Sequence, residues 1–313
     1  MTSPFISICI PAYKRVNYLK RLLNSIQIQS FTNFEVIISD DSDDNSVEAL
    51  IQEFNQKFTI CYFKNEKPLG TPANWNHAIS KARGEWIKLM HDDDWFAEAD
   101  SLEQFANLTN TNSKFIISAY ANSDEEKKKK EVVLFPTKSK NGILENPLLL
   151  LAKNIIGPPS VTLFHSSIKE KYDERLKWRV DMEYYIRIIA QENNFAVINK
   201  PLINVGISES QVTNSCLNIP AVEIPEIFIL LSKYSTKPLR NIFVFDAYWR
   251  ILRNTNIKST EQLESYGQKA WPLVIVNMVM VQSNFSQSLL KVGPVSKLLM
   301  ALSYAYNLIK SNF

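Results

Sequence analysis

His91, Asp92, Asp93 and Asp94 stand in a row after the apolar run Trp86–Met90 and are followed at once by Trp95. Adjacent carboxylates repel: two like charges about 4 Å apart cost about 4 kcal/mol at an effective dielectric near 20. A cation therefore belongs beside them. All-oxygen ligation favours a hard divalent ion such as Mg2+ or Mn2+, which completes its shell with phosphate oxygens and stabilises a diphosphate leaving group. The competing reading of such a run is a polar turn or a helix cap. Two more carboxylates, Asp40 and Asp41, follow the apolar run Phe34–Ser39 and lead into a turn rich in capping residues, Ser42–Ser46. A carboxylate there can also accept from the imide N–H of a nucleobase. Tyr13, just after Pro11, offers either a stacking face or a core tyrosine.

The elements that must position these groups follow from hydrophobic rhythm. Phe5–Ile10 reads as a buried strand ended by Pro11, and Leu19, Leu22, Leu23 and Ile26 then recur at helical spacing until Phe31. Strand-like Phe34–Ser39 precedes a helix through Val47, Leu50, Ile51 and Phe54; Thr59–Phe63, Pro72–Ala82 and Trp86–Met90 repeat strand, helix, strand. This alternation predicts an α/β fold with right-handed crossovers and a mostly parallel sheet flanked by helices. In such sheets ligands bind beyond the carboxyl ends of the strands. Pro11, Tyr13, Asp40, Asp41 and Asp92 to Asp94 all follow strand ends, so one crevice gathers them.

Composition excludes several classes. The 313 residues carry 35 Lys plus Arg against 32 Asp plus Glu, a net charge of +3, which gives no support to a nucleic-acid partner. Cys9, Cys61 and Cys216 are too few and too scattered for a disulfide framework or a zinc site. The charged run Ser123–Glu131 reads as a solvated loop or hairpin tip. The N-terminus lacks the cationic flank of a leader, and the apolar stretch Trp271–Val281 is too short to span a bilayer, so the expected location is cytoplasmic. Beyond Leu217 the rhythm turns helical, which predicts a catalytic domain over 1–217 and a helical region over 218–313. There Leu298, Leu299, Leu302, Ala305, Tyr306 and Ile309 form a stripe with Lys297 and Lys310 at its ends. The stripe either packs as core or lies on anionic lipid, a peripheral membrane contact through the C-terminal region.

The segments ISICIPAYKR (6–15), FEVIISDDSDDNS (34–46) and PLGTPANWNHAISKARGEWIKLMHDDDW (68–95) resemble, in order and spacing, the inverting family 2 glycosyltransferases with the GT-A fold. With VDMEYYIRI (180–188) the resemblance covers about two thirds of the chain. It implies a GT-A, Rossmann-like nucleotide-sugar-binding domain with a helical C-terminal extension. By position, Pro11 and Tyr13 border the nucleoside pocket, Asp41 accepts from the base with Asp40 beside it, and Asp93 is the metal-binding aspartate of a DxD-type motif. Asp92 and Asp94 flank it, Asp92 being taken with the donor-binding residues. Asp181 is similar to the acidic residue that deprotonates the acceptor hydroxyl, with Glu183 the alternative carboxylate.

The resemblance further implies a divalent metal, Mn2+ or Mg2+, a nucleoside diphosphate sugar donor of the UDP class, and a glycan or lipid-linked acceptor. The setting it implies is bacterial surface polysaccharide synthesis, lipopolysaccharide or capsule, in the cytoplasm or at the inner face of the plasma membrane. Two departures stand out. His91 replaces the first acidic residue of the motif, as ligand or neighbour of the metal, and Trp75 replaces an arginine whose charge Lys14 or Arg15 would supply. Gly157–Phe164 is either part of the acceptor side or a loop fixed by its prolines, and Gln211–Thr213 resembles a segment that returns to the site. The alternatives are a GT-A binding module without turnover and a sugar nucleotidyltransferase, which would need a Gly-rich basic loop where Pro11, Ala12 and Tyr13 stand. An aspartyl phosphatase would need its nucleophile at Pro11.

Overall fold

The computed structural model describes residues 3–124, 126–208, 212–267 and 269–313. Its first elements are β1 Ile6–Ala12, α1 Val16–Gln27, β2 Phe34–Asp40, α2 Ser46–Gln52, β3 Ile60–Lys64, α3 Ala73–Ser80 and β4 Trp86–Leu89. They alternate as the hydrophobic rhythm predicts. The face of α1 that carries Leu19, Leu22, Leu23 and Ile26 is buried, because spacings of three and four return to one side of a helix. β1 and β2 are buried along almost their whole length, as strands covered on both faces must be.

β1 extends past Pro11 to Ala12. In a parallel ladder alternate residues turn their hydrogen-bonding groups to opposite neighbours. Cys9 accepts from Met90 on the β4 side, and the pairing with β4 ends at Cys9 and Leu89. Pro11, in phase with Cys9, turns its missing donor to a side where no partner strand remains, so the strand tolerates it.

β5 Trp95–Phe96, α4 Ser101–Leu108, β6 Phe115–Asp124, β7 Lys129–Val133, α5 Lys140–Glu145, β8 Thr162–His165, α6 Val180–Glu192 and β9 Ala196–Gly206 complete a nine-stranded sheet. The order is β3-β2-β1-β4-β8-β6-β9-β5, with β7 paired to β6. β1 to β4 are parallel, as the alternation predicts. β8 is antiparallel to β4 and β6, β5 to β9, and β7 to β6, while β6 and β9 are parallel. The sheet is therefore mixed. Its antiparallel members come from 95–206, where strands of two and four residues are too short to write a period into the sequence. The charged run forms the β6–β7 hairpin, apart from Glu125, which lies outside the described residues.

The chain forms two compact units: Met1–Glu145, Ile155–Glu174 and Tyr184–Glu209 in one, Asn146–Asn154, Arg175–Glu183 and Ser210–Phe313 in the other. The second holds α7 Val212–Cys216, α8 Pro220–Tyr234, α9 Ile242–Asn254, α10 Thr260–Glu264, α11 Leu273–Ser283, α12 Gln287–Leu290 and α13 Gly293–Ile309. Its core gathers Val244, Phe245, Trp249 and Leu252 of α9 with Ile275, Met278 and Val279 of α11. Core packing does not hold for the leucine stripe of α13: Leu298, Leu302 and Ile309 are 62%, 59% and 81% exposed, and the helix buries Ser296, Met300, Ser303 and Asn307 instead. Among the described residues no helix is long and apolar enough to cross a membrane.

Candidate active site

Strand order creates the crevice. The chain builds β2 and β3 to one side of β1 and then places β4 on the other, so loops leaving the carboxyl ends of β1 and β4 depart across a switch point. Those loops carry Tyr13 to Arg15 and His91 to Asp94, and they meet. The Arg15 guanidinium grips Asp92 and donates to Asp93 Oδ2 at 2.8 Å. The backbone N–H of Tyr13 helps to favour the charged form of the Asp92 carboxylate. Asp92 is 3% exposed, and its burial pushes the carboxyl up against the opposing pull of Arg15. Lys14 instead pairs with Asp43 at 2.7 Å, so of the two cations named as replacements for the missing arginine, Arg15 reaches the aspartates.

His91, Asp93 and Asp94 each offer a ligand atom, and these atoms lie within 4.8 Å of one another. Two of the donors are unsatisfied. Among the described residues Asp94 Oδ2 and His91 Nε2 are buried without a hydrogen-bond partner, which costs about 1–3 kcal/mol for each such group. Asp94 Oδ1 accepts from the Gly206 N–H at 3.1 Å. Burial pushes the Asp94 carboxyl up, and the negative charge of Asp93 adds to the push. Burial pushes His91 down to about 4, so its imidazole is neutral at pH 7 and keeps a lone pair to give. Two carboxylates and a neutral imidazole with orphaned buried atoms fit a divalent ion of the Mn2+ or Mg2+ kind.

The neighbouring strand end is satisfied internally. Asp40 is fully buried and accepts from the Ser42 N–H at 2.8 Å, Tyr62 Oη at 2.8 Å and Lys64 Nζ at 3.1 Å. Asp41 accepts from Asn65 Nδ2 at 2.7 Å and from the N–H groups of Leu69 and Gly70 at 3.0 and 2.8 Å. Gly70 reaches its donor position with φ +74°, a backbone region that favours glycine. Three donors leave one of about four acceptor directions on the Asp41 carboxylate. Tyr13 is 51% exposed, so it is not a core tyrosine, and Pro11 is half-buried beside it. The Asp41 N–H donates to the Ala12 carbonyl at 3.0 Å, which ties this pair to the Tyr13 loop. Pro11, Tyr13, Asp40, Asp41, Asp92 and Asp93 thus share one edge of one sheet.

Asp181 lies in the second unit, in the first turn of α6. Glu226 of α8 accepts from the N–H groups of Lys177, Trp178 and Arg179 at 2.6, 2.8 and 2.9 Å, and Glu223 pairs with Arg179 at 2.5 Å, so α8 fixes the start of α6. Asp181 is half-buried and accepts from Asn154 Nδ2 at 2.9 Å. Burial pushes its carboxyl up to about 7, with the charge of Glu226 adding to the push. Glu183 differs: it is fully buried and held by Lys233 at 2.5 Å and Tyr234 Oη at 2.8 Å.

The sequence profile of Glycosyl transferase family 2 matches residues 7–172, just over half of the chain. The chain belongs to that family. An uncharacterized glycosyltransferase of Methanocaldococcus jannaschii is 28% identical over 211 residues, which are 66% of this chain and 72% of that one. The GalNAc(5)-diNAcBac-PP-undecaprenol beta-1,3-glucosyltransferase of Campylobacter jejuni is 31% identical over 93 residues, 29% of this chain and 30% of its own. Staphylococcus aureus TarS 1-349 in complex with UDP-GlcNAc aligns with a TM-score of 0.56 at 16% identity, over 96% of this chain and 89% of that one. The mannosyltransferase PcManGT from Pyrobaculum calidifontis, in complex with GDP-Man and Mn2+, aligns with a TM-score of 0.54 at 12% identity, over 98% and 87%. At these identities the two structures show the GT-A fold.

Around the family 2 motifs the structure adds Arg21, Ser160 and Lys88, which sequence reasoning did not single out. The Asp93 carbonyl accepts from Arg21 Nη2 at 2.6 Å, and the Arg21 guanidinium lies 3.6 Å from the Trp95 ring centroid. Ser160 accepts from the His91 N–H at 2.9 Å, while fully buried Lys88 donates to the carbonyls of Ser160 and Thr162. Trp75, at the position of the missing arginine, is 9% exposed and packs on His91 and Tyr172 with ring centroids 4.7 and 5.2 Å away. Asn76 is bound to the backbone of Tyr172 at 2.9 Å, a structural tie. A cleft of about 150 Å3 opens beside Asp93, lined by Tyr18, Arg21, Ser123 and Glu126 among others. The segment with Gln211 lies outside the described residues. Ser160 sits in the Gly157–Phe164 segment that the sequence marked by its prolines, a helical turn that leads into β8 and not simply a loop, and Gly206 was the available signal for close backbone approach.

Proposed function

We propose that this chain transfers a sugar, with inversion, from a nucleoside diphosphate sugar to the hydroxyl of a glycan or lipid-linked acceptor in bacterial surface polysaccharide synthesis, lipopolysaccharide or capsule. The observation that carries the reading is the trio His91, Asp93 and Asp94, with donor atoms within 4.8 Å, at a sheet edge shared with Tyr13 and Asp41. Tyr13 stacks on the base of a UDP-type donor, and Asp41 uses its remaining acceptor direction for the imide N–H. Asp92, locked by Arg15, keeps the donor loop in place. His91, Asp93 and Asp94 would hold a Mn2+ or Mg2+ ion, which would supply Lewis-acid stabilisation of the diphosphate leaving group.

Asp181 takes the acceptor hydroxyl proton as the oxygen attacks the anomeric carbon; the carbon–oxygen bond to the diphosphate breaks and the nucleoside diphosphate leaves with the bonding pair. A carboxyl near pH 7 in pKa and open on one side suits that task. Glu183, consumed by Lys233 and Tyr234, does not. The fold neighbours solved with UDP-GlcNAc and with GDP-Man, and the relative whose name carries PP-undecaprenol, support a nucleotide-sugar donor and a lipid-linked acceptor.

A panel of UDP-, GDP- and dTDP-sugars, each with and without Mn2+, tests the reading by thermal unfolding and then by release of free nucleoside diphosphate with a polyprenyl-diphosphate glycan. Metal-dependent protection by one donor followed by acceptor-dependent release is expected. Protection without release would leave a binding module, and indifference to every donor and metal would refute the assignment.

A further inference from the structure

α13 is amphipathic the wrong way round for a helix on a soluble surface. Ser296, Met300, Ser303 and Asn307, spaced by four, three and four, face the rest of the second unit and are buried. Two polar contacts tie that side down, Ser296 Oγ accepting from Trp249 Nε1 at 3.1 Å and Asn307 Oδ1 from Asn277 Nδ2 of α11 at 3.0 Å, while Ser303 Oγ is buried with no hydrogen-bond partner among the described residues. The opposite face carries Leu298, Leu302, Ala305, Tyr306 and Ile309, all exposed. Val292, just before the helix, is 48% exposed as well.

Charge decides the occupant. From Ser265 to Phe313 the chain has four lysines, Lys269, Lys291, Lys297 and Lys310, and no Asp or Glu. All four are exposed. A second copy seated on this face would bring lysines against lysines, whereas an anionic lipid surface complements them. At 17 residues and 1.5 Å per residue the helix is roughly 25 Å long, which suits lying along an interface and not crossing it.

We propose that α13 docks the protein on an anionic membrane surface, its leucine face entering the headgroup boundary and its lysines meeting lipid phosphates. The proposal gives the lipid-linked acceptor reading its location, but the surface is measured without turnover, so the two can fail separately.

The test is flotation of the purified full chain with phosphatidylcholine vesicles and with vesicles of equal parts phosphatidylcholine and phosphatidylglycerol. Binding to the anionic vesicles at low salt is expected, with loss of more than tenfold for Leu302→Glu and Leu298→Glu/Ile309→Glu. Lys297→Glu and Lys310→Glu should each weaken it roughly fivefold or more. Because these side chains are exposed, the variants keep the unfolding temperature and the donor protection of the parent, which separates lost docking from lost folding. Equal recovery of parent and variants with both vesicle types overturns the proposal. So does a dimer in light scattering that Leu302→Glu converts to monomer, since the face would then be a contact between copies.

Discussion

Gly206 and Asp93 face each other with no room for a methyl group: a Cβ at 206 would lie 2.3 Å from the Asp93 carbonyl oxygen. The same carbonyl accepts from Arg21, and the Gly206 N–H holds Asp94 Oδ1, so β9 and α1 together set the backbone of the aspartate loop. Gly206→Ala must therefore displace Asp93. The expected cost is about 1–3 kcal/mol of stability, read by denaturant unfolding, with a loss of metal-dependent donor binding larger than that destabilisation explains. Unchanged donor affinity in the folded variant would show that the loop backbone does not set the site.

Asp93→Asn and Asp94→Asn each remove a candidate ligand while keeping side-chain volume. With saturating donor and Mn2+ the parent should gain about 2.7 kcal/mol when ligand stands at a hundred times its dissociation constant. Both variants should lose the Mn2+-dependent part of that gain in a thermal shift measurement. Asp94→Asn should itself be tolerated without metal, because burial already pushes the Asp94 carboxyl toward its neutral form. A variant that retains full Mn2+-dependent protection is not a ligand.

The parallel half of the sheet and the convergence of its strand-end carboxylates were legible in the sequence because both are local. Ile6 to Ile10 and Phe34 to Ser39 are apolar runs that end at the residues of interest. What lay hidden is long-range partnership. Asp181 and Glu183 are two residues apart in the same turn and indistinguishable by type, and only the arrival of Lys233 and Tyr234 from fifty residues on removes one of them. The α13 stripe has helical period whichever side it faces. Periodicity reports that one face is apolar, and the direction of that face is set by which partner helix supplies Asn277.

Arg15 is the only group found donating to both Asp92 and Asp93 among the described residues, so Arg15→Met leaves two neighbouring carboxylates without their cation. Removing one partner of a buried pair leaves an uncompensated charge, and since Arg15 is 32% exposed on its side chain a cost of about 2 kcal/mol is expected. Added Mn2+ should restore part of the lost stability, because a second cation then serves the same carboxylates. Denaturant midpoints with Mn2+ and with EDTA check this. A Mn2+ effect no larger than in the parent would mean that the ion and Arg15 do not share Asp93.

Asp181→Asn and Glu183→Gln separate the two acidic residues of α6 by opposite signatures. As the proposed base, with its carboxyl near 7, Asp181 would take a proton only when ionised, so the parent rate should rise about tenfold per pH unit below 7 and level off above. Asp181→Asn should flatten that profile and lower kcat by about 10^2 to 10^4 while leaving donor affinity intact. Its stability should move the other way. A folded pKa raised above the unfolded value means that ionising Asp181 opposes folding, a penalty absent below about pH 4 and growing as pH rises to about 7. The asparagine variant escapes it, so its unfolding temperature should gain on the parent between those limits. Glu183→Gln weakens the partnership with Lys233 and Tyr234, and it should lower stability while the pH–rate midpoint stays in place. Activity lost with stability gained is the pattern of a group kept for chemistry, and a parental rate in Asp181→Asn would remove it from the mechanism.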